Sequence, residues 1–443
     1  MTLDLHGLSL SAPSDVACAA FNETLRRYLA YEIESTQPLF DALAAEPDFA
    51  MGQCLKGYLL LLGFKKALVP VAAKAAAQAQ RLSAQASPRE RLHVEALSAW
   101  VDGRIERALA LWDQILRDDP TDVLAFRLAH FNLFWLGRPQ AMLASVRQVR
   151  PHWHEGLAGW GTLLSCEAFS LEECGQYEQA ERLGRAAVAL DPADIWGTHA
   201  IAHVLEMQGR HAEGIDWLEG LSTHWARGSN LVHHLWWHRS LMHIALGDTA
   251  TPLALYDTRF RKLDSPLTQA QPDLYIDVQN AVSALYRLEH LGVQTGDRWR
   301  ELADQAASRI GDCLSPFTLP HFMLALLADG REQSAHEMLS AMREFGASKD
   351  DIAPQVAELA LPLCEAMVQL HTGQAQSAVD QVRPILPRLA ELGGSHAQQE
   401  VLQLFCYRAA RQAGSAADMD AARTISGRAF VGGWASRAIY APH

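Results

Sequence analysis

At 443 residues the chain is too long for one ordinary core and reads as either several domains or a repeat array. Its net charge of -13, with no basic cluster to offset it, repels phosphate backbones and anionic surfaces, so neither nucleic acid nor membrane is an expected partner. The longest apolar run near the start, Gly57 to Phe64, falls far short of the ~20 residues of a membrane span.

The opening MTLDLHGLSL lacks a secretory pattern. The seven scattered cysteines form no C-x-x-C pair, which fits a reducing cytoplasm better than a disulfide or zinc-ribbon framework. Ala and Leu dominate and strand-type alternation is absent, so the chain is expected to be nearly all helix. In chain order, Ser14 to Glu34 predicts one long amphipathic helix within an N-terminal capping segment, residues 1-48. The stretches GRIERALALWDQILRDDP (Gly103 to Pro120) and GQYEQAERLGRAAVALDP (Gly175 to Pro192) then share the second-half pattern of a tetratricopeptide repeat. Turn glycines in that register fall at Gly63, Gly103, Gly137, Gly175, Gly209, Gly247, Gly292, Gly330, Gly373 and Gly414. A right-handed α-solenoid of about ten helix pairs is expected over residues 49-425. Each glycine supplies the left-handed backbone that ends a helix. Pro120 and Pro192 cannot continue the second helix, and Asp122 and Asp194 are placed to cap the next one. The aromatic, Gly-rich residues 426-443 match no repeat and are expected to be an irregular tail that packs back or pairs two chains, leaving a homodimer open.

In tetratricopeptide arrays the concave surface is lined by fixed positions of each first helix, and this pattern implies a set of groove residues. They are His93 and Trp100; Arg127 and Phe131; Ser165 and Phe169; Trp196, His199, His203 and Glu206; and His234 and Trp237. Such a lining suits a small polar or aromatic ligand or a peptide. Arg127 could pair a carboxylate through its planar fork, or equally be an ion-paired surface arginine.

The stretch from Asp191 to Gly247 departs most from generic scaffold. His199 and His203 stand four apart with Glu206 three further on, and His234 and His238 stand four apart one repeat later. Residues four apart share a helix face, so two imidazole pairs face each other from neighbouring helices. Three readings stay open: a divalent metal held by His199, His203, Glu206, His234 and His238; acid-base chemistry by His203, Glu206 and His238; or a hydrogen-bonded polar layer without chemistry. No cofactor is assigned outright.

The runs THAIAHVLEMQGR, HHLWWHRSL, ALYDTRF, LYRLEHLG with GDRWREL, LPHFMLAL and GGSHAQQEV together resemble the tetratricopeptide repeat protein thirty-eight family across nearly the whole chain. The resemblance implies an α-solenoid and carries no activity with it. His199, His203, His234, His238, His321 and His396 coincide with its motifs, and His233 departs from them. The functional expectation is a cytoplasmic protein binding a small molecule or peptide in a His- and Trp-rich pocket. The alternative is a hydrolase using the same histidines.

Overall fold

The computed structural model describes residues 2–424, and the expected tail 426-443 lies outside them. The fold is all-α, 74% helical, with one short ribbon pairing Thr2–Leu3 against Ser9–Leu10. Antiparallel helix pairs stack in sequence as an α-solenoid of tetratricopeptide type. The second helices are amphipathic: Ile105–Asp118 buries Ile105, Ala108, Leu111, Trp112 and Ile115, at the three- and four-residue spacing of one helix face. The first helices are buried nearly all round; Val123–Trp135 buries eleven of its residues. They are the inner layer.

Nine of the ten expected turn glycines have φ between +66° and +83°. Gly63 is the exception, and the left-handed residue there is Phe64, at φ +47°. Stacking on Phe131 at 5.6 Å and the bond from Arg309 Nη2 to its carbonyl at 2.8 Å hold Phe64 in that conformation. The caps fall where expected, with Asp122 accepting from the Ala125 N–H and Asp194 from the Gly197 N–H, each at 2.9 Å. The first long helix is shorter than its amphipathic pattern predicts: it runs Asp15–Leu29, capped by Ser14. Tyr31 and Glu34 then adopt φ +53° and +54°. The chain turns inward there, and the Tyr31 ring stacks on Trp196 at 5.6 Å.

The array closes on itself, which the repeat register alone does not foretell. Asp351 N–H donates to the Gly103 carbonyl at 2.9 Å, and Gln355 Nε2 donates to the Glu391 carbonyl at 2.8 Å beside the Gly137 turn. The row of first helices therefore faces a shared interior instead of an open groove. Its polar side chains must be satisfied by one another. The helices that position the site are, in chain order, Val123–Trp135 (α1), Trp160–Glu173 (α2), Ile195–Met207 (α3), Leu231–Ala245 (α4), Tyr275–His290 (α5) and His396–Ala413 (α6).

Candidate metal centre

Asp194 starts α3 by capping it, which sets the helix phase so that His199 and His203 both face α4. On α4, His234 and His238 face back. The four rings meet. His203 Nε2 lies 2.9 Å from His199 Nε2, His199 Nε2 lies 3.1 Å from His234 Nε2, and His234 Nε2 lies 3.2 Å from His238 Nε2. One ligand atom from each of the four falls within 4.8 Å of all the others. All four residues are at most 2% exposed, so no bulk water screens the cluster.

The outward nitrogens decide the tautomers. His238 Nδ1–H donates to Glu206 Oε2 at 3.2 Å, and His234 Nδ1–H donates to Asn280 Oδ1 at 2.9 Å. His203 Nδ1 faces Glu172 Oε2 at 3.6 Å and Glu173 Oε1 at 3.9 Å. A neutral imidazole with its proton on Nδ1 presents a lone pair at Nε2. The His234–His238 contact then sets two lone pairs against each other, and His199 can donate to one neighbour at most. Protonating the rings would relieve this, but burial opposes it. Burial, followed by the charges of neighbouring histidines, holds His199 and His234 far below the usual imidazole value. Burial and then the Arg287 guanidinium lower His238 to about 3. A cation between the nitrogens removes the conflict. Two nitrogens bound to one ion at roughly 2.1 Å sit about 3.0–3.4 Å apart, which matches the spacing here.

Aromatic rings wall the cluster. Phe169 lies 5.2 Å from the His199 ring, Trp196 lies 4.7 Å from it, and Trp237 stacks on His234 at 4.9 Å. On the outer side of His203, Glu172, Glu173 and His396 bring a second set of potential ligand atoms within 4.8 Å of one another. His396 is in the first turn of α6, where the Ser395 capping box fixes it, and its Nδ1 reaches Glu173 Oε2 at 3.2 Å. Glu173 and His396 line a cavity of about 420 Å³ together with Phe134 and Met142.

Of the residues expected at the site, His199, His203, His234 and His238 come together, with Phe169, Trp196 and Trp237 around them. Glu206 is corrected from metal ligand to the hydrogen-bond partner of His238, because it meets the outward nitrogen. His93 is elsewhere: its Nε2 bonds Asp122 Oδ2 at 3.0 Å, in an ion-pair network with Arg89. Trp100 packs on Trp112 at 5.6 Å and lines a separate cavity of about 480 Å³. Phe131 belongs to the Phe64 stack, and the Ser165 hydroxyl binds the Asp194 cap. His321 Nδ1–H donates to the Phe317 carbonyl at 2.9 Å and is not one of the four converging rings. His233, which departs from the motif, is paired with Asp277 at 2.9 Å. Arg127 is not a surface residue but is 2% exposed, bonded to Cys166 and Tyr31. Asn280 and Glu173 escape sequence reasoning, since both act from other repeats. His130 had a signal, for it occupies the register position that Ala96, Ala168 and Ala202 hold in other repeats.

The chain matches no known protein-family model. Among solved structures it is similar to the human IFIT1 dimer with PPP-AAAA, at 12% identity and a TM-score of 0.39. It is also similar to the human IFIT1 dimer with m7Gppp-AAAA, at 13% and 0.42, and to a monomeric IFIT1 mutant with Gppp-AAAA, at 13% and 0.40. In each case the match covers 95% of this chain and 95% of the other. At this identity the likeness extends to the helical-repeat fold and no further. The exclusion of nucleic acid read from net charge is nevertheless corrected. These solenoids are solved with 5′-modified oligoadenylates, and a whole-chain charge does not decide what an inner surface holds. Among the described residues no helix is long and apolar enough to cross a membrane.

Proposed function

We propose that this chain is a metalloprotein, a cytoplasmic member of the tetratricopeptide repeat protein thirty-eight family. His199, His203, His234 and His238 hold one divalent transition-metal ion, and the ion presents a small organic ligand to the enclosed interior. One observation carries the reading. Four Nε2 atoms converge in a buried interior while the Nδ1 atoms of His234 and His238 donate to acceptors. Metal-binding histidines characteristically donate their other N–H in this way, which fixes ring orientation and raises ligand basicity. Imidazole suits zinc, copper, iron and nickel. Four imidazoles complete a zinc tetrahedron and leave no place for an activated water, so the hydrolase alternative is the weaker one. An ion that takes six ligands keeps two positions for ligand or co-substrate.

The enclosure supports a small molecule over a peptide, because the first-helix row faces a closed interior. X-ray absorption at the edge of the bound metal tests the centre. The expected first shell is about four nitrogen scatterers at roughly 2.1 Å with the outer-ring signature of imidazole. A shell of sulfur, or of oxygen alone, contradicts it.

A further inference from the structure

Arg127 is a buried guanidinium that pairs with no carboxylate among the described residues. Its Nη1 donates to Cys166 Sγ at 2.9 Å and its Nη2 to the Tyr31 hydroxyl at 2.6 Å, and its Nε–H has no acceptor among the described residues. Neither partner supplies a negative charge at neutral pH. Burial pushes the Cys166 thiol and the Tyr31 phenol up from their ordinary values, against the opposing pull of Arg127. A buried charge without a counter-charge is costly.

Two more donors are without partners beside it. Among the described residues His130, one turn along α1 and 1% exposed, has neither ring nitrogen bonded, and Trp196 Nε1 also has no acceptor. The Arg127 Cζ lies 5.5 Å from the Trp196 ring centre, and the His130 ring lies 6.2 Å from it. The same indole lies 4.7 Å from the His199 ring. Trp196 and Tyr31 are only partly buried, so this corner is not sealed by packing.

We infer that Arg127, His130 and Trp196 form an anion subsite beside the four-histidine centre, and that it takes the carboxylate of a small organic ligand. One guanidinium charge balances one carboxylate, and its planar fork matches carboxylate geometry. The stacked Tyr31 and Trp196 rings supply an apolar wall for the rest of the molecule. The position next to the metal rests on the centre proposed above, while the three donors do not depend on an ion.

The experiment is isothermal titration of the full chain with acetate and benzoate, their neutral isosteres acetamide and benzamide, and inorganic phosphate. Each is run on metal-replete and chelator-treated protein. Both carboxylates are expected to bind at least about tenfold more tightly than their amides and more tightly than phosphate. R127Q is expected to abolish that preference with metal content unchanged, and W196F, which removes the N–H but keeps a ring, to weaken it. Equal binding of carboxylates and amides, no saturable carboxylate binding, tighter phosphate binding, or an unaltered preference in R127Q overturns the subsite. If R127Q does not fold, the wild-type isostere comparison and W196F decide. A carboxylate preference that persists in protein found to contain no metal upholds the subsite while refuting the metal centre.

Discussion

His234 and His238, one turn apart on one helix, bring their Nε2 atoms to 3.2 Å while their Nδ1 atoms face Asn280 and Glu206. Two lone pairs at that distance repel, a bound cation would relieve them, and Glu206 orients the ring that offers one of them. Glu206→Gln keeps an acceptor but removes the charge. Metal affinity is expected to fall about 10–100-fold, read by competition against a chelator, with the helical circular dichroism retained. Unchanged affinity would contradict the role given to Glu206.

Closure of the array is testable at one glycine. Gly393 has φ +91° and ψ −165°, and a Cβ there would sit 2.2 Å from the Trp135 carbonyl oxygen. Gly393→Ala is expected to cost about 3 kcal/mol or more, from backbone strain and forced separation of the two segments. Gly373, at φ +79° with nothing near its missing Cβ, serves as the control. Gly373→Ala is expected to cost ~1–2 kcal/mol. Similar denaturant midpoints for the two variants would show that the contact between the 393 and 135 regions contributes little.

The buried imidazoles make stability depend on pH in a defined direction. His199 and His234 lie far below their ordinary value and His238 at about 3, with burial the largest cause in each. The unfolded chain takes up protons near pH 6.5 that the folded cluster refuses. Stability is thus fully present above about pH 6.5 and is lost as pH falls toward the folded values. Between about pH 7 and 5, where histidine is the main titrating side chain, the melting temperature of chelator-treated protein should fall. The double variant H199Q/H238Q should show a shallower fall. A flat wild-type profile would mean that the cluster takes protons as readily folded as unfolded.

What was legible in the sequence was local. Turn glycines, the Asp122 and Asp194 caps and the two His pairs follow from helix periodicity, which any stretch of a dozen residues displays. Spacing places Glu206 on the histidine face but cannot say which ring nitrogen it meets, so a hydrogen-bond partner passed for a ligand. Long-range closure was not legible. Asn280 bonds a ring 46 residues away in sequence, and His396 reaches Glu173 from the far end of the array. The shortened first helix has the same origin, since Tyr31 leaves its helical pattern to stack on Trp196. A whole-chain net charge averages over inner and outer surfaces and does not decide what an enclosed interior holds.

The most direct test of the central claim is metal content per chain in protein purified without a histidine tag or chelator, measured by elemental analysis. Wild-type protein is expected to carry about one transition-metal ion per chain, and H199A/H203A to lose it while remaining helical. Metal-free wild-type protein that takes up no added zinc, iron, nickel, manganese or copper would contradict the account.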